Sequence, residues 1–231
     1  MLTLSAEAAA ALWLSIRIAL IVTPAYALAA VLLVYALQFG LRHPGWLDAL
    51  VTVPLVFPPV VIGFGLLWLL GRESPLGRAL HQTGIDFIFT FPGLLLAAFI
   101  AGLPLAVKTL QTALQTQPRV WHEVALTLGR GPRNVYLTLH LPIALPALLG
   151  GLLLALARGI GEVGISLMLG GNILGRTETL SLAIFNTVTT GDYAQAAGLS
   201  ALLGAFSLLL FAAVRFLQNK ELAKHDVLHP G

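Results

Sequence analysis

Five stretches of this chain run for 21 to 24 consecutive residues without Asp, Glu, Lys or Arg: 18–41, 49–71, 87–107, 134–157 and 193–214. A helix of about 20 apolar residues crosses the hydrocarbon core of a bilayer. Five such runs in 231 residues exclude an ordinary soluble fold. Charged residues make up 10% of the chain, against about 25% in a typical soluble domain. Within each run the apolar residues are near-continuous rather than confined to one stripe, as in helices surrounded by apolar neighbours. The chain therefore reads as one all-α integral membrane domain, residues 1–231, with about five transmembrane helices. Two uncharged runs of 13 residues, 163–175 and 179–191, are too short to span alone. They read as a helix extension, a re-entrant piece or an external loop.

Proline falls inside several runs: Pro24, Pro54, Pro58, Pro59, Pro104, Pro142 and Pro146. In a membrane bundle, neighbouring groups re-satisfy the carbonyls that proline frees, so kinked helices are expected. Pro58-Pro59, followed by Gly63 and Gly65, marks the second run as the most irregular. It is either an ordinary kink or a helix bent around a pathway. Ala27-Leu28-Ala29 resembles a signal-peptide cleavage site, but the preceding segment lacks a basic cluster and the apolar run is too long. The first run is read as a retained helix.

Basic residues predict orientation. Arg42 in the first loop, Lys108, Arg119, Arg130 and Arg133 around the third, and Arg215, Lys220 and Lys224 near the end make 8 of the 13 Lys and Arg. These zones alternate onto one side, which is expected to be cytoplasmic. The N-terminus would then lie outside and the C-terminus inside.

The chemistry of soluble enzymes is missing from this sequence. With no cysteine there is no disulfide or thiolate metal site. No phosphate-binding Gly-x-x-x-x-Gly-Lys-Ser/Thr loop occurs, so the chain is not expected to hydrolyse ATP. His122-Glu123 begins like a zinc-protease helix, but Leu126 stands where the second histidine is needed. Gly159-Ile-Gly161-Glu-Val-Gly164 spells a dinucleotide fingerprint but follows a helix-length run, not a strand. Close helix packing explains its small residues better. Neither catalytic nor metal-ligating residues are expected, nor a cofactor. A net charge of +3 is too small to indicate nucleic-acid binding.

The third loop is the most informative. Pro118 suits the first turn of a helix running to Leu128, Gly129 suits the left-handed position that ends it, and Gly131-Pro132 restarts a second helix. The product is a two-helix hairpin within residues 108–141. On physics alone, one account of it is a solvated amphipathic connector lying on the lipid headgroups. Arg119, Glu123, Arg130 and Arg133 are its charges, and Val120, Val124, Leu126 and Leu128 its apolar surface.

This segment also resembles the Glu-Ala-Ala-x-x-x-Gly-x(9)-Ile-x-Leu-Pro motif of permease subunits in bacterial ABC importers. Glu123, Ala125, Gly129, Leu141 and Pro142 match in register, while Val124 replaces an Ala and Leu139 the Ile. The resemblance implies a type I importer permease fold, with the hairpin as coupling helices that dock on a separate ATPase subunit. Residues 54–63, with Pro58 and Pro59, are similar to the second span of the molybdate, tungstate and sulfate group. Arg158-Gly-Ile-Gly-Glu162-Val-Gly164 is similar to that group's Arg-x-x-Gly-Glu-x-Gly signature. Residues 162–173 and 71–77 resemble tungstate permeases more than molybdate ones.

Arg158 and Glu162 are four residues apart and share a helix face. Along a straight helix Arg158 lies 17 residues, or about 26 Å, beyond Leu141. That places the pair near the outer interface, where charges can snorkel. It either fixes the end of the fourth span or lets Arg158 present positive potential to an entering oxyanion. Asn172, after Gly170-Gly171, either donates its amide to an oxyanion or turns an external loop.

The reading is thus a multi-pass permease subunit in a bacterial or archaeal cytoplasmic membrane. The resemblance implies a homodimer, two cytoplasmic ABC ATPase subunits and an extracytoplasmic oxyanion-binding protein. Lipid surrounds the chain. Tungstate is the first cargo expected, with molybdate and then sulfate as alternatives. A membrane enzyme would need convergent polar residues within the spans, and a mere anchor would not need the hairpin.

Overall fold

The computed structural model describes residues 6–41 and 44–228, with residues 119, 213–214 and 217–228 described by backbone alone. Arg42 lies outside the described residues, as do the side chains of Arg119, Lys220 and Lys224. Among the described residues every regular element is helical.

Helix α1 (Ala6–Tyr35) passes without a break into a π turn, Ala36–Gly40, closed by Leu41 N donating to Ala36 O at 2.9 Å. Helices α2 (Gly45–Val56) and α3 (Pro59–Leu70) follow, bent by 117° from one another. The bend has a local cause. Phe57 and Pro58 each precede a proline, which pushes both out of the helical region. They sit at ψ 143° and 135°, and Pro59 then opens α3 where its missing N–H costs nothing. The second run is therefore two helices meeting at a reversal, not one kinked rod.

Ser74 caps α4 (Pro75–Gln82), its hydroxyl accepting from Gly77 N at 2.8 Å. Helix α5 (Phe91–Gln115) begins behind Thr90 and continues through Pro104. The hairpin comprises α6 (Arg119–Thr127) and a second arm. That arm runs through α7 (Pro132–Val135), a second π turn (Tyr136–His140) and α8 (Leu141–Ile143). A 74° bend at Ala144 leads into α9 (Leu145–Ile160). Helices α10 (Gly164–Gly170), α11 (Leu180–Thr189) and α12 (Tyr193–Leu228) complete the described residues.

Among the described residues three segments are long and apolar enough to cross a membrane: Ala6–Gly40, Phe91–Gln115 and Tyr193–Ala212. Each bent pair, α2 with α3 and the second arm with α9, supplies one more if it counts as a single span. The expected five is reached on that count. The bend at Ala144 corrects the straight-rod placement of Arg158, because a distance counted from Leu141 assumes a helix that does not exist there. The runs 163–175 and 179–191 supply the short helices α10 and α11, whose Ile165, Leu169, Leu180 and Leu182 are buried.

Helix α5 is the axis of the bundle, packed on α1 and α9. Small residues allow the approach: a Cβ built on Gly102 would overlap Ala155 O and the Tyr26 hydroxyl, and one on Gly159 would overlap the same hydroxyl. Gly164 lies against Pro59, its built Cβ 3.0 Å from the Pro59 Cβ. The Gly159–Gly164 segment is thus a packing device, as its composition implies. Gln38 Nε2 donates to Gln111 O at 3.1 Å, so the end of α1 lies beside the foot of α5 at the hairpin end. At the opposite end Leu180 N donates to Ser15 Oγ at 2.9 Å, and Arg17 lies 4.9 Å over the Phe91 ring.

Candidate functional site

The hairpin is built by its turn chemistry. Helix α6 ends in a Schellman motif: Arg130 N donates to Ala125 O at 3.2 Å and Gly129 N to Leu126 O at 2.9 Å. The motif needs a left-handed residue, and Gly129 has φ +80°. Gly131 then caps the second arm, and Pro132 stands in its first turn.

Helix α6 keeps a large apolar surface uncovered. Val120, Trp121, Val124, Leu126 and Leu128 are all exposed, Leu128 at 75%. Trp121, Val124, Ala125, Leu128, Leu139 and Ile143 line a groove of about 470 Å³ between the two arms. The motif residues divide around it. Val124, Ala125 and Leu139 share the groove, whereas Glu123 opens onto a second cavity of about 640 Å³. Leu141 packs against the main core and Pro142 is exposed just before the bend.

Sequence reasoning missed the polar cluster lining that second cavity. His122 Nδ1 lies 3.2 Å from His140 Nε2, and His140 Nδ1 lies 2.5 Å from Gln117 Oε1. The Phe39 ring sits 5.1 Å from the His122 ring and 5.7 Å from that of His140, between centroids. Phe39 comes from the π turn after α1, Gln117 from the foot of α5, His122 from α6 and His140 from the second arm, so no local spacing announces them.

The other candidates form a second group at the far end of α9. Arg158 Nη1 donates to Glu162 Oε2 at 2.5 Å, and Glu162 Oε1 accepts from Ile165 N at 2.8 Å. The Glu162 side chain is 1% exposed and that of Arg158 35%. The carboxylate thus joins the end of α9 to the first turn of α10, where a helix N-terminus favours negative charge. Pro59 and Gly164 are brought together at the α3 bend, and Pro58 precedes them. Asn172 stands apart in a turn, at φ +51°. Its amide donates to Asn186 Oδ1 at 2.6 Å, and Asn186 in turn donates to Glu178 Oε1 at 2.5 Å.

Between α4 and α5, Asp86 accepts from Arg72 at 3.1 Å and pairs with His81 at 3.0 Å. Desolvation raises its carboxyl, but the hydrogen bonds and charge of Arg72 and His81 outweigh that and hold it below the ordinary carboxylate range.

The family model described as "Binding-protein-dependent transport system inner membrane component" matches residues 8–220. The molybdenum transport system permease protein ModB of Azotobacter vinelandii is 38% identical over 174 residues, 75% of this chain and 77% of that protein. ModB of Haemophilus influenzae is 34% identical over 186 residues, covering 78% and 81%. The sulfate transport system permease protein CysT of Salmonella typhimurium is 33% identical over 181 residues, covering 78% and 65%. Among solved structures, an inward-facing MetNI methionine ABC transporter superposes with a TM-score of 0.68 at 18% identity, covering 91% of this chain and 94% of that one. A bacterial alginate ABC transporter in complex with its alginate pentasaccharide-bound periplasmic protein superposes with a TM-score of 0.73 at 15% identity, covering 94% and 80%. These likenesses establish the type I ABC permease fold.

Proposed function

The chain belongs to the binding-protein-dependent transport system inner membrane components, the permease subunits of ABC importers, and on that premise we propose that its cargo is molybdate. The observation that carries the cargo is 34–38% identity to molybdenum permeases over three quarters of the chain or more. Tungstate, favoured by the motifs at 162–173 and 71–77, becomes the second reading, and sulfate the third. Molybdate and tungstate are nearly equal in size and charge, so a permease without a tight anion site discriminates little between them.

The working unit in this reading is a homodimer of permease chains with two ATPase subunits on the cytoplasmic side and an anion-binding protein outside. Glu123, Val124, Ala125, Gly129, Leu139, Leu141 and Pro142 make up the ATPase-coupling segment within residues 108–141. What supports this role is the uncovered apolar face of α6 on a hairpin whose turn is firmly built. Closure of the ATPases would draw the two hairpins together and tilt the bundle outward through the bends at Pro58-Pro59 and Ala144. Pro58, Pro59, Arg158, Glu162, Gly164 and Asn172 line or brace the outer part of the pathway.

Uptake of radiolabelled molybdate in cells lacking this chain tests the cargo. Loss of high-affinity uptake, restored by the plasmid-borne gene and competed by tungstate but not by sulfate, is expected. Unchanged molybdate uptake, with loss of another solute, would refute it.

A further inference from the structure

We propose that Gln117, His122 and His140 are positioning residues that form a polar joint, seated on Phe39, through which displacement of α6 is handed to the end of α1. The proposal rests on the reading of the hairpin as the ATPase-coupling segment and names how that segment grips the spans.

The hydrogen-bond directions follow from the amide. Gln117 Nε2 donates to the His140 backbone O at 3.1 Å, so its Oε1 faces His140 Nδ1 as an acceptor. Nδ1 of His140 therefore carries the proton, which leaves Nε2 as an acceptor for His122 Nδ1–H. One chain of donors runs from α6 through His140 to Gln117. Aromatic packing adds a third body. Phe39 belongs to the π turn at the end of α1 and lies against His122, His140 and Tyr136. The Tyr136 hydroxyl donates to Val31 O at 2.8 Å, so the second arm also grips α1 directly.

The joint occupies one side of α6 only. His122 is half-buried against these partners, while Val120, Trp121, Val124 and Leu128 face outward. A force applied to the outward face reaches the bundle through the backbone at Pro118, through the Gly129–Gly131 turn, or through this cluster. Pro118 and the Gly129–Gly131 turn hold α6 only at its two ends, whereas the cluster ties its side to the second arm and to the π turn after α1.

The test uses the assembled transporter, with its ATPase subunits and binding protein, in proteoliposomes. His122→Asn places an amide N–H where Nδ1 stands and keeps the donor. His122→Phe keeps a ring on Phe39 and removes the donor. Both should copurify with the ATPase subunit and hydrolyse ATP. The His122→Phe transporter should move about five-fold less molybdate per ATP, the scale of one lost hydrogen bond, and His122→Asn should restore the ratio. Gln117→Glu keeps the acceptor for His140 Nδ1 but loses the donor to its carbonyl, and should lower the ratio too. It decides the matter if His122→Phe fails to assemble. Wild-type coupling in the variant that assembles, or no recovery with His122→Asn, overturns the joint. A wild-type chain that binds no ATPase subunit overturns the reading of the hairpin as the coupling segment and the joint with it.

Discussion

Lys108 Nζ lies 2.6 Å from Asp48 Oδ1, and Gln111 Nε2 lies 3.1 Å from the same oxygen. One carboxylate oxygen thus fastens the foot of α5, just before the hairpin, to the first turn of α2. Both charged side chains are about a third exposed, so water screens the pair. Lys108→Met should cost about 1 kcal/mol or less, a fall of about 2–4 °C in the melting temperature of the detergent-solubilised protein. In that background Asp48→Asn should cost little more, and full additivity of the two changes would show that the pair contributes nothing.

Gly129 has φ +80° and no atom within 4 Å of a built Cβ. Space is therefore available and only the backbone objects. Gly129→Val should cost about 1–2 kcal/mol locally and disorder the Schellman turn, leaving membrane insertion intact while ATPase copurification and transport are lost. Gly129→Asn, which tolerates the left-handed region, should keep most of both. Equal behaviour of Val and Asn would show that the turn does not matter.

Removing Arg158 strands a carboxylate that is 1% exposed. Arg158→Met should destabilise by on the order of 2–3 kcal/mol, less than for a fully buried pair because the arginine itself is partly solvated. Adding Glu162→Gln, which still accepts from Ile165 N, should recover more than half of the loss. Thermal unfolding in detergent reads both. An unchanged midpoint for Arg158→Met would mean that the pair is not formed.

Two glycines share one obstacle but differ in the second. Gly159→Ala meets the Tyr26 hydroxyl first and Ala98 O only at 3.1 Å, while Gly102→Ala also meets Ala155 O. Each should cost about 1–3 kcal/mol by overpacking. Tyr26→Phe should relieve Gly159→Ala and leave Gly102→Ala unrelieved, since a backbone carbonyl cannot step aside. Rescue of both, or of neither, measured by yield of monodisperse protein, would contradict the packing described.

The absence of native cysteine makes sidedness simple to measure. With the hairpin cytoplasmic, Leu128→Cys should resist a membrane-impermeant thiol reagent in intact cells and react after permeabilisation. Leu174→Cys, exposed at the opposite end, should react in both. The reverse pattern would invert the orientation.

How much of this was legible in the sequence depends on the range of the physics involved. The hairpin was, because Gly129 and Pro132 act on their own backbone. The Arg158–Glu162 pair was too, since four residues on one helix need no tertiary knowledge. Its depth was not, because Pro142 and Pro146 announced a kink but not a 74° bend at Ala144 between them. Pro58-Pro59 announced an irregularity but not its size, which depends on Gly164 and α10 filling the angle. The His122–His140 joint was invisible, since its partners are gathered from α1, the foot of α5, α6 and the second arm by packing alone.

The π turn at Tyr136–His140 carries a consequence for the hairpin's aim. Leu141 N closes back on Tyr136 O, five residues away rather than four, so the segment holds one residue beyond what an α-helix would use. Each residue of an α-helix advances the winding by about 100°. The wide turn takes up that residue without adding its rotation, so deleting one residue between 136 and 140 would let the arm close as ordinary α-helix with everything before it held at nearly the same angle to α9. The face of α6 offered to a partner is thus kept in place by a turn that absorbs one surplus residue, whereas one residue inserted elsewhere in the arm, with no such turn to take it up, would swing that face by about 100°.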